Sequence, residues 1–160
     1  MNLNQYKEPD KLERLSFLYS EVRLVIAAVA LLLGGIPVLR FLTFGMSGLF
    51  GLVTTILTLT WIGSGLASGY LLYRWNENKM RLFGHKNQKD TVAFLISTVS
   101  GINLGIVGLL GRNIGMSITS GGFIFTLTAI AYLASSYHLY TRWNASGQKL
   151  FTAKHHEISS

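Results

Sequence analysis

Residues 91–110 read TVAFLISTVSGINLGIVGLL, a run of twenty residues without a charged side chain. About 20 apolar residues in a helix cross the hydrocarbon core of a bilayer, which is roughly 30 Å thick. The run is too long for a barrel strand and lacks alternation, and backbone groups in lipid must be hydrogen-bonded internally. The whole chain is 49% hydrophobic and 13% charged, whereas soluble domains carry about 25% charged residues. We therefore predict a membrane-spanning helix here.

Three further apolar runs have the same character, and they complete an all-α integral membrane protein with a four-transmembrane-helix bundle. We predict the four spans at about 22–39, 47–73, 91–110 and 117–140. Pro37, behind Gly34 and Gly35, is expected to kink or end the first span, because proline removes a backbone donor and clashes with the preceding turn. Asp90 is the expected N-cap of the third span.

The segment before the first span, residues 1–21, has its own pattern. Asp10 followed by Glu13 is typical of a helix start with a capping box. Leu12, Leu15, Tyr19 and Val22 then recur at helical spacing. This pattern favours a short amphipathic helix on the membrane surface. The alternative is that these residues form the first turns of the first span.

The basic residues predict the orientation. Two of the fourteen, Arg40 and Arg112, fall in the short connections inside the predicted hairpins. The positive-inside rule places the other twelve in the cytoplasm, together with both termini. They are Lys7, Lys11, Arg14, Arg23, Arg74, Lys79, Arg81, Lys86, Lys89, Arg142, Lys149 and Lys154. We therefore attribute the net charge of +7 to the orientation of the chain in the membrane, and we do not expect nucleic acid as a partner.

Two stretches of the chain resemble each other. Arg74-Trp75-Asn76 follows the second span and Arg142-Trp143-Asn144 follows the fourth. Each triplet is followed, after five residues, by Leu-Phe, at 82–83 and 150–151. Gly-Met-Ser opens the second span at 45–47 and the fourth at 115–117. Because internal repeats indicate repeated supersecondary units, we predict two tandem copies of a helical hairpin.

The repeat sets the predicted organisation. Residues 22–88 form the first hairpin with its cytoplasmic loop, and residues 89–160 form the second hairpin with its tail. Two spans per copy make this a parallel repeat, related by an axis along the membrane normal. Thr141 is an additional residue in the second copy when the tyrosines are aligned, so a break, a bulge or an earlier helix end is expected there.

The repeated triplets are the first candidate site. Trp is enriched at membrane interfaces and Arg on the cytoplasmic side, so anchoring explains much of the pattern. The repetition of asparagine favours a paired docking surface for a membrane partner or an anionic lipid headgroup, which arginine recognises as a fork. The candidate docking residues are Arg74, Trp75, Asn76, Arg142, Trp143 and Asn144.

Small residues are the second candidate site. Glycines spaced four apart allow helices to approach closely. Asn103 lies in the glycine stripe of the third span and is expected to make an interhelical hydrogen bond. The candidate packing residues are Gly65, Gly69, Gly101, Asn103, Gly105 and Gly108.

The sequence offers little catalytic chemistry. It has no cysteine and no zinc, nucleophile-elbow or phosphate-loop motif. His138 is the one histidine expected within a helix, which does not favour haem ligation. All seven acidic residues, Glu8, Asp10, Glu13, Glu21, Glu77, Asp90 and Glu157, are expected near or beyond the cytoplasmic face, so no intramembrane charge marks a proton path. We therefore expect no catalytic residue, no metal and no cofactor.

Two functional hypotheses remain. The first is a non-enzymatic accessory, assembly or stabilising factor of a larger membrane complex, with other integral membrane subunits and lipid as its partners. The alternative is a chain that assembles with itself into a small channel or carrier. Convergence of Thr54, Thr58, Asn103 and Thr126 on one cavity would favour transport. The expected location is the bacterial cytoplasmic membrane or an equivalent thylakoid-type membrane.

Overall fold

The computed structural model describes residues 9–44, 46–114 and 121–151. Within them lie four long helices, each long and apolar enough to cross a membrane. They confirm the predicted all-helical class and the four spans. The helices are α1 (Pro9–Leu32), α2 (Phe50–Glu77), α3 (Gln88–Leu110) and α4 (Gly122–Ala145), and two 3-10 turns (Val38–Thr43 and Ser47–Leu49) lie between α1 and α2.

The first helix begins and ends earlier than predicted. α1 runs without interruption from Pro9 to Leu32, so the predicted surface segment, from residue 9 onwards, forms the first turns of the first span. It ends before the glycines because Gly34 and Gly35 take φ values of 79° and 82°, which favour glycine and stop a helix. The Gly35 N–H donates to the Ala30 carbonyl at 2.8 Å and closes this end. Pro37 lies beyond it.

The faces of α1 are the reverse of the amphipathic prediction. Leu12, Leu15 and Val22 are exposed, whereas Glu13 and Glu21 are buried, each 5% exposed. Lipid tails are as apolar as leucine, so a spanning bundle gains little by hiding leucine from them. Polar side chains, by contrast, need partners, and they find them inside the bundle.

The tightest helix contact joins α2 to α3. A Cβ atom added to Gly65 would lie 2.8 Å from the Cα of Gly105, and one added to Gly105 would lie 2.6 Å from the Cα of Gly65. The structure also places Gly101 and Gly108 against α2. Gly69 does not take part, because no atom lies within 4 Å of the position that its Cβ would occupy.

One end of the bundle gathers the starts of α1 and α3 and the ends of α2 and α4. We call it the basic end, because Arg74 and Arg142 lie there. After α2, and again after α4, the chain folds back onto this end and inserts Leu82-Phe83 and Leu150-Phe151 into it. Leu82 is 1% exposed and Leu150 is 0% exposed. The Phe83 N–H donates to the Leu150 carbonyl at 2.8 Å. These residues pack against Phe17, Leu71, Phe94, Leu139 and Trp143.

The turns after α2 and α4 have the same local conformation. Lys79 and Met80 take positive φ values of 56° and 59°, and Gly147 and Gln148 take 69° and 63°. The N–H of Met80 donates to the Trp75 carbonyl at 2.9 Å, as that of Gln148 does to Trp143. Residues 45 and 115–120, which include part of the first Gly-Met-Ser segment and all of the second, lie outside the described residues. Duplication of the whole hairpin therefore stays a prediction.

The predicted break at Thr141 is wrong. α4 continues through this residue, and the Thr141 hydroxyl donates to the Tyr137 carbonyl one turn earlier, at 2.8 Å. The two copies align without a gap: Leu71 and Leu139 each precede their arginine by three positions, and they are 1% and 0% exposed. Alignment of the tyrosines suggests a register that differs by one residue. The buried leucines show that the register without a gap is the one in which equivalent positions correspond.

Leu150→Ala is expected to loosen the basic end. Replacing a fully buried leucine by alanine costs about 2–5 kcal/mol, because apolar contacts are lost and a cavity is left. We expect a lower unfolding temperature in detergent and faster proteolysis at the turn after α4. The matched control is Leu110→Ala on α3, where the leucine is 70% exposed. Equal thermal stability of the two variants would contradict the described packing.

Candidate functional site

The Arg74 side chain points into the basic end. Its Nη2 lies 3.3 Å from Glu13 Oε2 and its Nη1 lies 3.2 Å from Glu77 Oε2. The other oxygen of Glu13 accepts the backbone N–H groups of Leu150 and Phe151, at 3.2 and 3.1 Å. One buried carboxylate therefore joins α1, α2 and the turn after α4.

Arg142 takes an equivalent place in the second hairpin. Its Nη2 lies 3.2 Å from Oδ2 of Asp90, which is fully buried. The other oxygen of Asp90 lies 2.7 Å from His138 Nε2. The predicted capping role of Asp90 is therefore wrong: Asn87 caps α3 and accepts the Lys89 N–H at 2.9 Å. Asp90 instead holds α3 against α4.

The tryptophans of the triplets also face inward. Trp143 is 2% exposed, and its ring centroid lies 5.2 Å from that of Phe17. The ring centroid of Trp75 lies 5.5 Å from that of Phe94. Each tryptophan thus packs on a helix of the other hairpin.

The triplets make internal contacts, and their role as a docking surface stays a prediction. The arginine and tryptophan side chains of the triplets hold the bundle together at the basic end. Asn76 and Asn144 remain exposed, and their carbonyls accept N–H groups of the turns that follow. A partner that reached this edge would meet asparagine and the partly exposed guanidinium groups.

Two charged residues lie inside the bundle, well away from its ends. Glu21 and Arg23 occupy the middle of α1, and each is 5% exposed. Glu21 was expected just before the start of the first span, at about residue 22, and Arg23 just inside it, whereas α1 carries both near its middle. Ionisable groups within spans are rare, and they usually mark function.

Ser97 of α3 connects the two charges. Its hydroxyl donates to Glu21 Oε1 at 3.1 Å, and its carbonyl accepts from Arg23 Nη2 at 2.7 Å. Arg23 Nη1 donates to the Ser100 hydroxyl at 3.0 Å. From α4, the Ser136 hydroxyl bonds to the Glu21 carboxylate. We call these five residues the Glu21–Arg23 layer.

The layer explains the glycine at position 101. A Cβ on Gly101 would overlap the Ser68 hydroxyl of α2 and would lie 3.2 Å from Arg23 Nη2. The Gly101 carbonyl also accepts the Ser64 hydroxyl at 3.3 Å. Gly101 thus leaves room for polar side chains, whereas Gly65 and Gly105 bring two backbones together.

A signal for this layer is present in the sequence, although the reasoning from sequence missed it. Pairs of serines recur at spacings of three or four on α1, α2 and α3, which is the spacing of one helix face, and two adjacent serines lie on α4. All eight are buried, three of them completely. They are Ser16, Ser20, Ser64, Ser68, Ser97, Ser100, Ser135 and Ser136.

Two of the threonines that were expected to distinguish transport from packing bond within their own helices. Thr54 and Thr126 donate to the carbonyls of Phe50 and Gly122, at 2.8 and 3.0 Å. The Asn103 amide donates to Asn113 Oδ1 at 2.9 Å, and its oxygen accepts the Ile114 N–H at 3.1 Å. Asn103 therefore bonds to the connection after α3.

An open groove of about 390 Å³ runs between α3 and α4 at the basic end. His138 lies at its edge and buried Ser135 forms part of its wall. Ser136, the next residue along α4, reaches the Glu21–Arg23 layer. The groove thus brings the surface of the basic end within one residue of the layer.

The described residues include no group of three or more His, Cys, Asp or Glu side chains that could hold a metal ion. His155 and His156 lie outside these residues. Comparison with protein-family models, curated proteins and solved structures finds no match to this chain. A functional proposal must therefore come from the arrangement of the side chains.

Proposed function

We propose that this protein is a non-enzymatic accessory, assembly or stabilising factor of a larger membrane complex, with other integral membrane subunits as its partners. We place it in the bacterial cytoplasmic membrane or in an equivalent thylakoid-type membrane, with the basic end in the cytoplasm. We also propose that its hairpins are tandem parallel copies, an idea supported by the common conformation of the two turns.

One observation carries the accessory role: the polar side chains of the bundle bond to groups within the chain, many of them backbone carbonyls, and its helices touch at Gly65 and Gly105. The triplet arginines bond to Glu13 and Asp90. Functional contacts are then left to the outer surface, which is rich in large apolar side chains. Such a surface suits lipid and neighbouring spans alike.

A pull-down tests this role. The tagged chain is extracted from its native membrane in mild detergent and run on a native gel, and the bands are identified by mass spectrometry. We expect a large band that contains other membrane subunits in fixed ratio. A small band of this chain alone would contradict the proposal.

Two variants with substitutions on the outer surface make the test more specific. Leu66→Ala on α2 and Tyr137→Ala on α4 remove side chains that are 71% and 76% exposed. At least one of them should release the partner while the chain stays folded by circular dichroism. The matched control is Ser136→Ala, a buried position, which should retain the partner.

The Glu21–Arg23 layer favours a second candidate, a self-assembled carrier or channel for a small solute. Buried charge within spans is typical of transport proteins. Four helices enclose little space, so this role requires several copies. Chemical cross-linking of the purified chain in liposomes, followed by solute flux assays, distinguishes it: a cross-linked oligomer with flux favours the carrier, and an inert monomer excludes it.

A further inference from the structure

The Glu21–Arg23 layer holds polar atoms that the rest of the bundle does not satisfy. Among the described residues, Glu21 Oε2, Arg23 Nε and the hydroxyls of Ser20 and Ser68 are buried without a hydrogen-bond partner. Ser68 and Arg23 meet at Gly101, and Ser20 adjoins Glu21 on α1. Buried polar atoms of this kind are normally bridged by water, which needs both donors and acceptors around it. The layer supplies both.

We propose that the Glu21 carboxylate is a proton-exchange site, which takes up and releases protons through the groove between α3 and α4. Its ligand is the proton, carried by water. The site does not depend on the proposed accessory role, because it lies inside the chain.

The surroundings of Glu21 suit a proton better than a metal cation. Arg23 lies two residues away, and its positive charge repels a second cation at short range. A proton binds covalently and makes the carboxylate a neutral carboxyl, whose O–H then donates to a neighbouring serine. One O–H bond forms on Glu21 and one O–H bond breaks on the hydronium ion that delivers the proton, which leaves a water molecule.

Arg23 keeps its partners when Glu21 is protonated. Its two terminal nitrogens bond to the Ser97 carbonyl and the Ser100 hydroxyl, not to Glu21. A buried guanidinium with satisfied donors tolerates the loss of a neighbouring negative charge better than an isolated one does. Both protonation states of Glu21 therefore fit the same helix packing.

The groove supplies the route. His138, bonded to Asp90 at 2.7 Å, lines the groove. Ser135 lies in its wall and Ser136 bonds to Glu21.

Few charged or titratable side chains face Glu21. Arg23 is the nearest on α1, where Tyr19 also interacts with the guanidinium, as Tyr132 does from α4. On α3 the layer contains Ser97 and Ser100, and on α2 the buried Ser64 and Ser68 lie beside it, next to Gly101. A carboxyl signal from this layer therefore belongs to Glu21.

Infrared difference spectroscopy tests the site. Spectra of the purified chain in lipid are recorded as the pH is lowered, and the carbonyl band of a neutral, buried carboxyl is followed. We expect this band to grow in the wild type, to lose one component in Glu21→Gln, and to keep every component in Glu77→Gln, where the side chain is 42% exposed. Components of the other buried carboxyls, Glu13 and Asp90, should remain in both variants. Identical bands in the wild type and Glu21→Gln, or no band at any pH at which the chain is folded, overturn the proposal.

Two further variants cover folding and the route. If Glu21→Gln fails to fold, Glu21→Asp keeps a carboxyl and must shift the band frequency; an unshifted band overturns the assignment. Ala134→Trp narrows the groove and should slow the rise of the band several-fold after a pH jump, whereas Leu133→Trp, exposed and not part of the groove lining, should not. Equal rates overturn the groove route.

Discussion

Gly105→Leu is expected to separate α2 from α3 and to destabilise the protein by about 3 kcal/mol or more. Overpacking a core typically costs about 1–3 kcal/mol, because side chains and backbone must shift. Here the first added carbon would already lie 2.6 Å from a backbone atom of Gly65, which no rotamer change relieves. The unfolding temperature in detergent and the elution profile of the purified chain measure the effect.

Gly69→Leu is the matched control, because it adds the same side chain to α2 where nothing lies within 4 Å. We expect an unchanged or higher stability, since glycine within a helix is about 1 kcal/mol less favourable than alanine. Similar losses in the two variants would show that leucine at any of these glycines is harmful and that α2 and α3 do not touch as described.

Arg23→Met is expected to be the second severe change. It leaves the Glu21 carboxylate buried without a nearby positive charge and removes two hydrogen bonds to α3. A hydrogen bond to a charged group contributes about 1.5–3 kcal/mol, so the loss of two such bonds and of the positive charge nearest to Glu21 is expected to cost about 3 kcal/mol or more. Chemical unfolding in detergent measures the loss.

The double variant Glu21→Gln with Arg23→Met is the informative comparison. Glutamine still accepts the Ser97 hydroxyl and carries no charge, so it should recover part of the lost stability. A double-mutant cycle gives the coupling free energy of the two residues. If the losses of the single variants simply add, the two charges act independently, and the layer is not a single unit.

The spans were predictable from the sequence because charge is excluded from lipid over twenty or more consecutive residues, as in 91–110. The ends of the spans were less predictable. α1 begins at Pro9 because Glu13, Glu21 and Arg23 have buried partners on other helices. A local measure of polarity does not include such partners. The reversal of the faces of α1 has the same cause.

The candidate site was predicted in part. The Arg-Trp-Asn triplets were recognised as important, but their partners Glu13 and Asp90 precede the arginines by 61 and 52 positions, and no local pattern pairs them. The spacing of four residues identified Gly65 and Gly105 as packing residues. The same criterion also selected Gly69, which faces outward. Whether a glycine contacts a neighbouring helix depends on which side of its helix that neighbour lies.

The Glu21–Arg23 layer has a consequence for the order of biogenesis. The α3 groups that bond to Glu21 and Arg23 lie 74–77 positions later in the chain. A charged residue at the centre of an inserting helix costs about 2.5–3.5 kcal/mol at the translocon. During synthesis, we therefore expect α1 to stay out of bulk lipid, in the translocon or at the membrane surface, until α3 emerges, and both hairpins to enter the bilayer together.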